Sequence, residues 1–123
     1  ENAEKVNLML ESVVNNGTGG NAAVDNYRVG GKTGTAWKAN SGGYSETNYI
    51  ATFAGFAPVS KPKFVIIVVI DDPKNSEYYG GSIAAPVFSN VMSEALRIYG
   101  IEPDNLGINE SDFLLARLDN ANE

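Results

Sequence analysis

Residues 30–37 read GGKTGTAW, and Lys32, Thr33 and Thr35 are the side chains in this stretch that could do chemistry. Lys32 is a compact positive charge that can attract a carboxylate or make a neighbouring hydroxyl more acidic. Thr33 and Thr35 flank Gly34, so on a strand their hydroxyls share one face, with Lys32 on the other unless the strand twists. Two hydroxyls on one face can fork a carboxylate. Gly34 lets a ligand or a second backbone approach, and Gly30-Gly31 lets the chain bend or a helix pack tightly. An exposed edge beside them can take an extended peptide by strand addition. The stretch reads as a platform for a peptide with a carboxylate. The plainer reading is a glycine-softened strand with a solvated lysine. With each residue type at roughly 6%, a random chain of this length contains Lys-Thr-Gly about 3% of the time, so the triplet alone does not decide.

The rest of the composition narrows the chemistry. The chain has 123 residues, 43% hydrophobic and 20% charged, enough for one domain with a modest core. A net charge of -6 and no basic run argue against a nucleic-acid partner. With no His and no Cys, Ser-His-Asp and Cys-His sites, His-rich metal sites and disulfides are excluded. No metal or cofactor is called for, and any chemistry falls to Lys, Ser, Thr, Tyr or carboxylates. The longest apolar run, Phe64 to Ile70, is too short to span a bilayer, and no signal peptide opens the sequence. The start at Glu1 suggests a piece of something larger.

The elements that must position these residues follow from periodicity. Val6, Met9, Leu10 and Val13 fall at helical spacing between Asn2 and Val14, which predicts a helix with one buried face that stops at Gly17 to Gly20. Strands are expected over Tyr27 to Lys38, Tyr49 to Ala57 and Phe64 to Asp71, joined by short loops that favour antiparallel neighbours. Phe64 to Ile70, apolar on both faces, reads as a central strand covered on both sides. A second helix from about Ser82 to Tyr99 has Pro86 in its first turn, a stripe of Phe88, Val91, Met92, Ala95, Leu96 and Tyr99, and Gly100 at its end. A short helix is possible around Asp112 to Leu118. The fold class is α/β (α+β), an antiparallel sheet flanked by helices, which looks incomplete as a free-standing unit.

Lys-Thr-Gly belongs with S-x-x-K and S-D-N in the signature set of penicillin-binding proteins and class A β-lactamases. Its surroundings strengthen that association. GTGGNAA (Gly17 to Ala23), YRVGGKTGTA (Tyr27 to Ala36), FAGFAP (Phe53 to Pro58), VVIDDP (Val68 to Pro73), YYGG (Tyr78 to Gly81) and AAPVF (Ala84 to Phe88) occur in order. Together they resemble the class B penicillin-binding proteins, with the division-specific transpeptidases nearest. The resemblance covers roughly residues 1–105, as the C-terminal portion of the transpeptidase domain, and leaves 106–123 as a tail. It implies a D,D-transpeptidase that crosslinks septal peptidoglycan by serine acyl transfer and is the target of β-lactams. The implied partners are stem peptides ending in D-Ala-D-Ala, β-lactam antibiotics, the upstream part of the same transpeptidase and the division machinery. The implied location is the periplasmic face of the bacterial inner membrane, with the anchor outside these residues.

On the same resemblance Lys32 is the electrostatic and proton-network partner, and Thr33 and Thr35 bind the substrate carboxylate. The backbone N–H of Thr35 is an oxyanion donor, Gly34 keeps the strand face open, and aromatics Tyr78 and Tyr79 line the cleft. The catalytic candidates are therefore Lys32 and Thr35, and the substrate-binding candidates Thr33, Gly34, Thr35, Tyr78 and Tyr79.

Ser60-Lys61-Pro62-Lys63 fits S-x-x-K by letter, yet it sits in a proline-bracketed turn where the nucleophile should open a helix. No S-x-N occurs in the chain. This chain alone is expected to be inactive, its nucleophile lying in an upstream part. Asp71 and Asp72 read as a strand end, and Trp37 as core or partner packing. The alternatives are a non-catalytic peptide-binding or β-lactam-sensing module of the same fold, and a fragment of a serine β-lactamase.

Overall fold

The structure is a computed structural model that describes residues 2–74 and 77–107. In chain order it consists of helix α1 (Asn2–Asn16), a 3-10 turn (Gly20–Ala22), strands β1 (Gly30–Asn40), β2 (Gly43–Ala57) and β3 (Phe64–Asp71), and helix α2 (Gly80–Ile98). The expected helix at Asp112 to Leu118 and nearly all of the 106–123 tail lie outside the described residues.

The strands form a three-stranded antiparallel sheet in the order β1-β2-β3. Thr33 pairs with Phe53 and Thr35 with Ala51, while Phe53 pairs across with Val68. Antiparallel pairing follows from the short connections, because neither joining segment is long enough for a crossover. β1 begins at Gly30 and not at the expected Tyr27, while both strands of the first hairpin run further toward their turn than periodicity indicated. Asn40 pairs with Gly43 across a two-residue turn, and the register shifts between Trp37 and Ala39.

α2 makes the core. Ala84, Phe88, Met92 and Leu96 recur every fourth residue and are completely buried, a narrow stripe laid on one face of the sheet. That face offers Phe53, Ile66 and Val68. The Phe53 and Phe88 rings meet at 4.8 Å in a tilted pair, a favoured aromatic geometry. They fit because Gly31 and Gly55 are paired across the strands. A Cβ at Gly31 would lie 2.5 Å from the Phe53 ring, and one at Gly55 would lie 2.9 Å from that of Phe88. Of the expected stripe, Val91 and Tyr99 are instead 49% and 69% exposed.

Three further expectations change. β3 is an edge strand among the described residues and not a central one, and it alternates half-buried and exposed along its length. Val65, Ile67 and Val69 stay 60–73% exposed because α2 covers only the opposite face. Pro86 lies seven residues into α2, not in the first turn, since the helix begins at Gly80. Its missing N–H leaves the Ser82 carbonyl without the usual helical partner. In α1 only Val14 is buried, while Val6 and Met9 are exposed. That helix is tied down by its second half, where the Glu11 carboxylate accepts two 2.7 Å bonds from the Arg28 guanidinium. The bidentate pair raises the Arg28 pKa further above its ordinary value.

α2 ends as Gly100 was expected to end it. Gly100 takes φ +59°, its N–H bonds the Arg97 carbonyl, and the Ile101 N–H bonds that of Leu96, a Schellman arrangement. Beyond it the chain folds back as a strap. Tyr27 Oη donates to the Ile101 carbonyl at 2.6 Å. The Asp104 carboxylate accepts the backbone N–H groups of Arg28 and Ser60 at 2.7 and 3.1 Å. The strap joins the lead into β1 to the turn between β2 and β3.

Candidate active site

The site is built where the N-terminus of α2 meets the middle of β1. The close approach depends on glycine. A Cβ at Gly80 would run into the Thr52 carbonyl and sit 2.5 Å from the Gly34 carbonyl, and one at Gly81 would run into the Thr18 carbonyl. The two glycines of YYGG are therefore what seats the helix end on the strand. Gly34 has a neighbour of its own on the far face, since a Cβ there would strike the Thr52 hydroxyl.

Thr33 and Thr35 share one face, as alternation requires, and each hydroxyl oxygen already accepts a hydrogen bond. The Gly80 backbone N–H donates to Thr35 Oγ1 at 3.1 Å. Lys32 Nζ donates to Thr33 Oγ1 at 3.1 Å and to the Thr33 carbonyl at 2.8 Å. The Lys32 side chain starts on the opposite face and reaches its neighbour because β1 has no strand on its outer side among the described residues. A long side chain can fold around such an edge. A hydroxyl has two lone pairs and one proton, so a donor on the oxygen leaves the proton available to an acceptor.

Both hydroxyls line a cleft of about 320 Å³ together with Thr18, Asn21, Tyr79 and the first residues of α2. Thr18 and Thr33 hydroxyls are 3.0 Å apart, and Asn21 Nδ2 donates to the Gly81 carbonyl at 2.9 Å. Tyr79, the N-cap of α2, makes no side-chain cap bond, and the partial positive charge of the helix end acts together with Lys32. The local field favours an anion although the chain carries a net charge of -6.

A second cleft of about 460 Å³ opens on the other side of Thr35, between Trp37, Tyr49, Tyr78 and Tyr79. Tyr78 stacks on Tyr49 with centroids 4.0 Å apart and planes 11° from parallel. Its Oη donates to Tyr79 Oη at 3.2 Å. That bond and the neighbouring Tyr79 hydroxyl, with some burial and the presence of Tyr49, push the Tyr78 pKa up to about 12. Trp37 is 55% exposed along this cleft and is not a core residue.

The structure thus brings Lys32, Thr33, Gly34, Thr35, Tyr78 and Tyr79 to one end of α2. Thr18, Asn21 and Tyr49 join them without having been assigned a role from sequence. Thr18 lay inside the quoted GTGGNAA run, but nothing local ties it to a strand 15 residues on. Tyr49 gave no signal at all.

The other candidates fall elsewhere. Ser60 sits in the turn between β2 and β3, not at a helix start, beside a cleft of about 490 Å³ that Lys61, Lys63 and the Ile101 to Asp104 strap line. That is the far end of β1 and β2 from Thr35. Asp71 pairs with Lys38 at 2.8 Å. Asp72 accepts from Lys74 and Asn48, and the lysine foremost holds its carboxyl below the usual range. These pairs finish the strand, as the sequence suggested. Among the described residues no group of carboxylates could hold a metal ion.

Comparison with known proteins matches the same region. The family described as the penicillin binding protein transpeptidase domain matches residues 1–93. Stage V sporulation protein D of Bacillus subtilis is 48% identical over 103 residues, which is 84% of this chain and 16% of that protein. Peptidoglycan D,D-transpeptidase FtsI of Escherichia coli K12 is 50% identical over 99 residues, 80% of this chain and 17% of that protein. The chain thus spans about a sixth of the length of these relatives. Among solved structures, the transpeptidase domain of Burkholderia pseudomallei penicillin-binding protein 3 superposes with a TM-score of 0.74 at 45% identity, covering 83% of this chain and 31% of that one.

Proposed function

The chain belongs to the penicillin-binding protein transpeptidase domain family, and on that premise we propose that it supplies the carboxylate-reading strand of a peptidoglycan D,D-transpeptidase. The reading rests on one observation above the others: the hydroxyls of Thr33 and Thr35 lie on one face, each with its oxygen already taken by a donor. With those donors on the oxygens, the hydroxyl protons can be given to an acceptor in the cleft, although that of Thr33 has Thr18 Oγ1 as a second acceptor at 3.0 Å.

A stem peptide ending in D-Ala-D-Ala carries its terminal carboxylate there, and a β-lactam carries its own carboxylate to the same place. Each threonine proton makes a charge-assisted bond. Lys32 and the N-terminus of α2 add the field that favours the anion. The peptide lies along the outer edge of β1, where Gly34 keeps the backbone close and Tyr78 and Tyr79 wall the cleft. Fixing the carboxylate fixes the penultimate carbonyl relative to the nucleophilic serine. That serine, with its S-x-x-K lysine and the S-x-N motif, belongs to another part of the longer polypeptide. There the serine attacks the carbonyl, D-Ala leaves, and an amine of a second stem takes the acyl group. On this reading the full protein works at the periplasmic face of the inner membrane with division proteins as partners. No helix among the described residues is long and apolar enough to cross a membrane.

The test is to treat the full-length polypeptide and this chain alone with a fluorescent penicillin, followed by denaturing electrophoresis and intact mass. Label is expected on the full-length protein at a serine outside residues 1–123, and none on this chain. Covalent label on Ser60, or no label on either, would overturn the reading.

A further inference from the structure

We propose that Thr18 is a positioning residue that aims the Thr33 hydroxyl at the ligand carboxylate, an inference that rests on the reading just given. The argument is a proton count. Thr33 Oγ1 accepts from Lys32 Nζ at 3.1 Å and lies 3.0 Å from Thr18 Oγ1. Only one proton can occupy the line between the two hydroxyls. If Thr33 supplies it, the Thr33 proton is spent inside the protein and Thr35 alone faces the carboxylate. If Thr18 supplies it, both Thr33 lone pairs are filled and its proton has nowhere to go but the cleft. An arriving carboxylate selects the second arrangement, because a hydrogen bond to an anion is stronger than one between neutral hydroxyls.

Thr18 is held for this task from both sides. The N–H groups of Gly17 and Gly19 both bond the Val13 carbonyl, at 3.1 and 3.0 Å, which fixes the backbone on either side of Thr18. Its own carbonyl is packed against Gly81. The same helix end that donates to Thr35 thus locks the loop that serves Thr33. The Thr18 hydroxyl lies against that of Thr33, so its contribution through Thr33 appears as discrimination for the carboxylate.

The test uses the full-length polypeptide and two probes, benzylpenicillin and its methyl ester, with the second-order acylation rate constant measured for each. Thr18→Val should lower the rate with the free acid roughly five- to tenfold and leave the ester unchanged. Thr18→Ala should behave the same way, and Thr18→Ser should restore the wild-type ratio of acid to ester. Thr18 is exposed, so circular dichroism should show all three folded. An unchanged ratio in Thr18→Val, or equal losses with both probes that serine does not restore, overturns the role of Thr18. Thr33→Val separates the two levels: if it lowers the ratio while Thr18→Val does not, the carboxylate reading stands and this inference falls. If Thr33→Val leaves the ratio intact, both fall.

Discussion

The two faces of the sheet are built from similar residues and have opposite fates. On one face Phe53, Ile66 and Val68 lie under α2, and Phe53 is completely buried. On the other, Val65, Ile67 and Val69 alternate with them along the same strand and remain 60–73% exposed. Apolar composition therefore does not set burial here; the seat of α2 does. That seat also makes the site. Thr33, Thr35 and Tyr49 belong to the covered face and reach the cleft where α2 begins, whereas Lys32 starts on the open face and has to fold around the edge of β1.

The sharpest way to break this comparison is to remove one ring from the covered face. Phe88→Ala should destabilise the chain by about 3–5 kcal/mol, read by urea unfolding. A cost near that of a surface substitution would mean that α2 does not make the core. Next in size is Gly80→Ala, which should cost about 1–3 kcal/mol because the new methyl meets the backbones of Thr52 and Gly34. In the full-length protein the same substitution should also slow acylation by penicillin, since it moves the donor away from Thr35. On the open face, Ile67→Ala should stay within about 0.5 kcal/mol of the parent chain; a cost comparable to Phe88→Ala would erase the distinction between the faces.

The smallest effect is spectroscopic. Tyr78 holds its proton to about 12, against about 10 for an ordinary tyrosine. A folded-state pKa raised in this way adds stability that is complete below about pH 10 and is lost as pH rises through about 12. Tyr79→Phe removes the first cause of the shift, so one tyrosinate absorbance transition should move down toward the ordinary range. An unmoved transition would mean that Tyr79 does not hold the Tyr78 proton.

Much of the fold was legible because it is local. The period-3.6 stripe of Phe88, Met92 and Leu96 and the period-2 alternation around Thr33 and Thr35 are written within a few residues of each other. Gly100 marked its helix end for the same reason. The extent of exposure on β3 was not legible, since Phe64 to Ile70 is apolar on both faces and only the position of α2 says which is covered. At the site, Lys-Thr-Gly and the tyrosine pair could be singled out from residue types and family resemblance. The glycines of YYGG could be quoted but not explained until the backbones of Gly34, Thr52 and Thr18 were found against them. Thr18 and Tyr49 were invisible as site residues, because what they do depends on contacts between segments far apart in the chain.

The central claim is that Thr33 and Thr35 together read a carboxylate at the start of α2. It is tested most directly by a crystal structure of the full-length protein acylated with benzylpenicillin. The account predicts one carboxylate oxygen or both within about 2.5–3.0 Å of Thr33 Oγ1 and Thr35 Oγ1, with Lys32 still on Thr33 and the Gly80 N–H still on Thr35. A carboxylate seated elsewhere, with the two hydroxyls bonded only to the protein or to solvent, would contradict it.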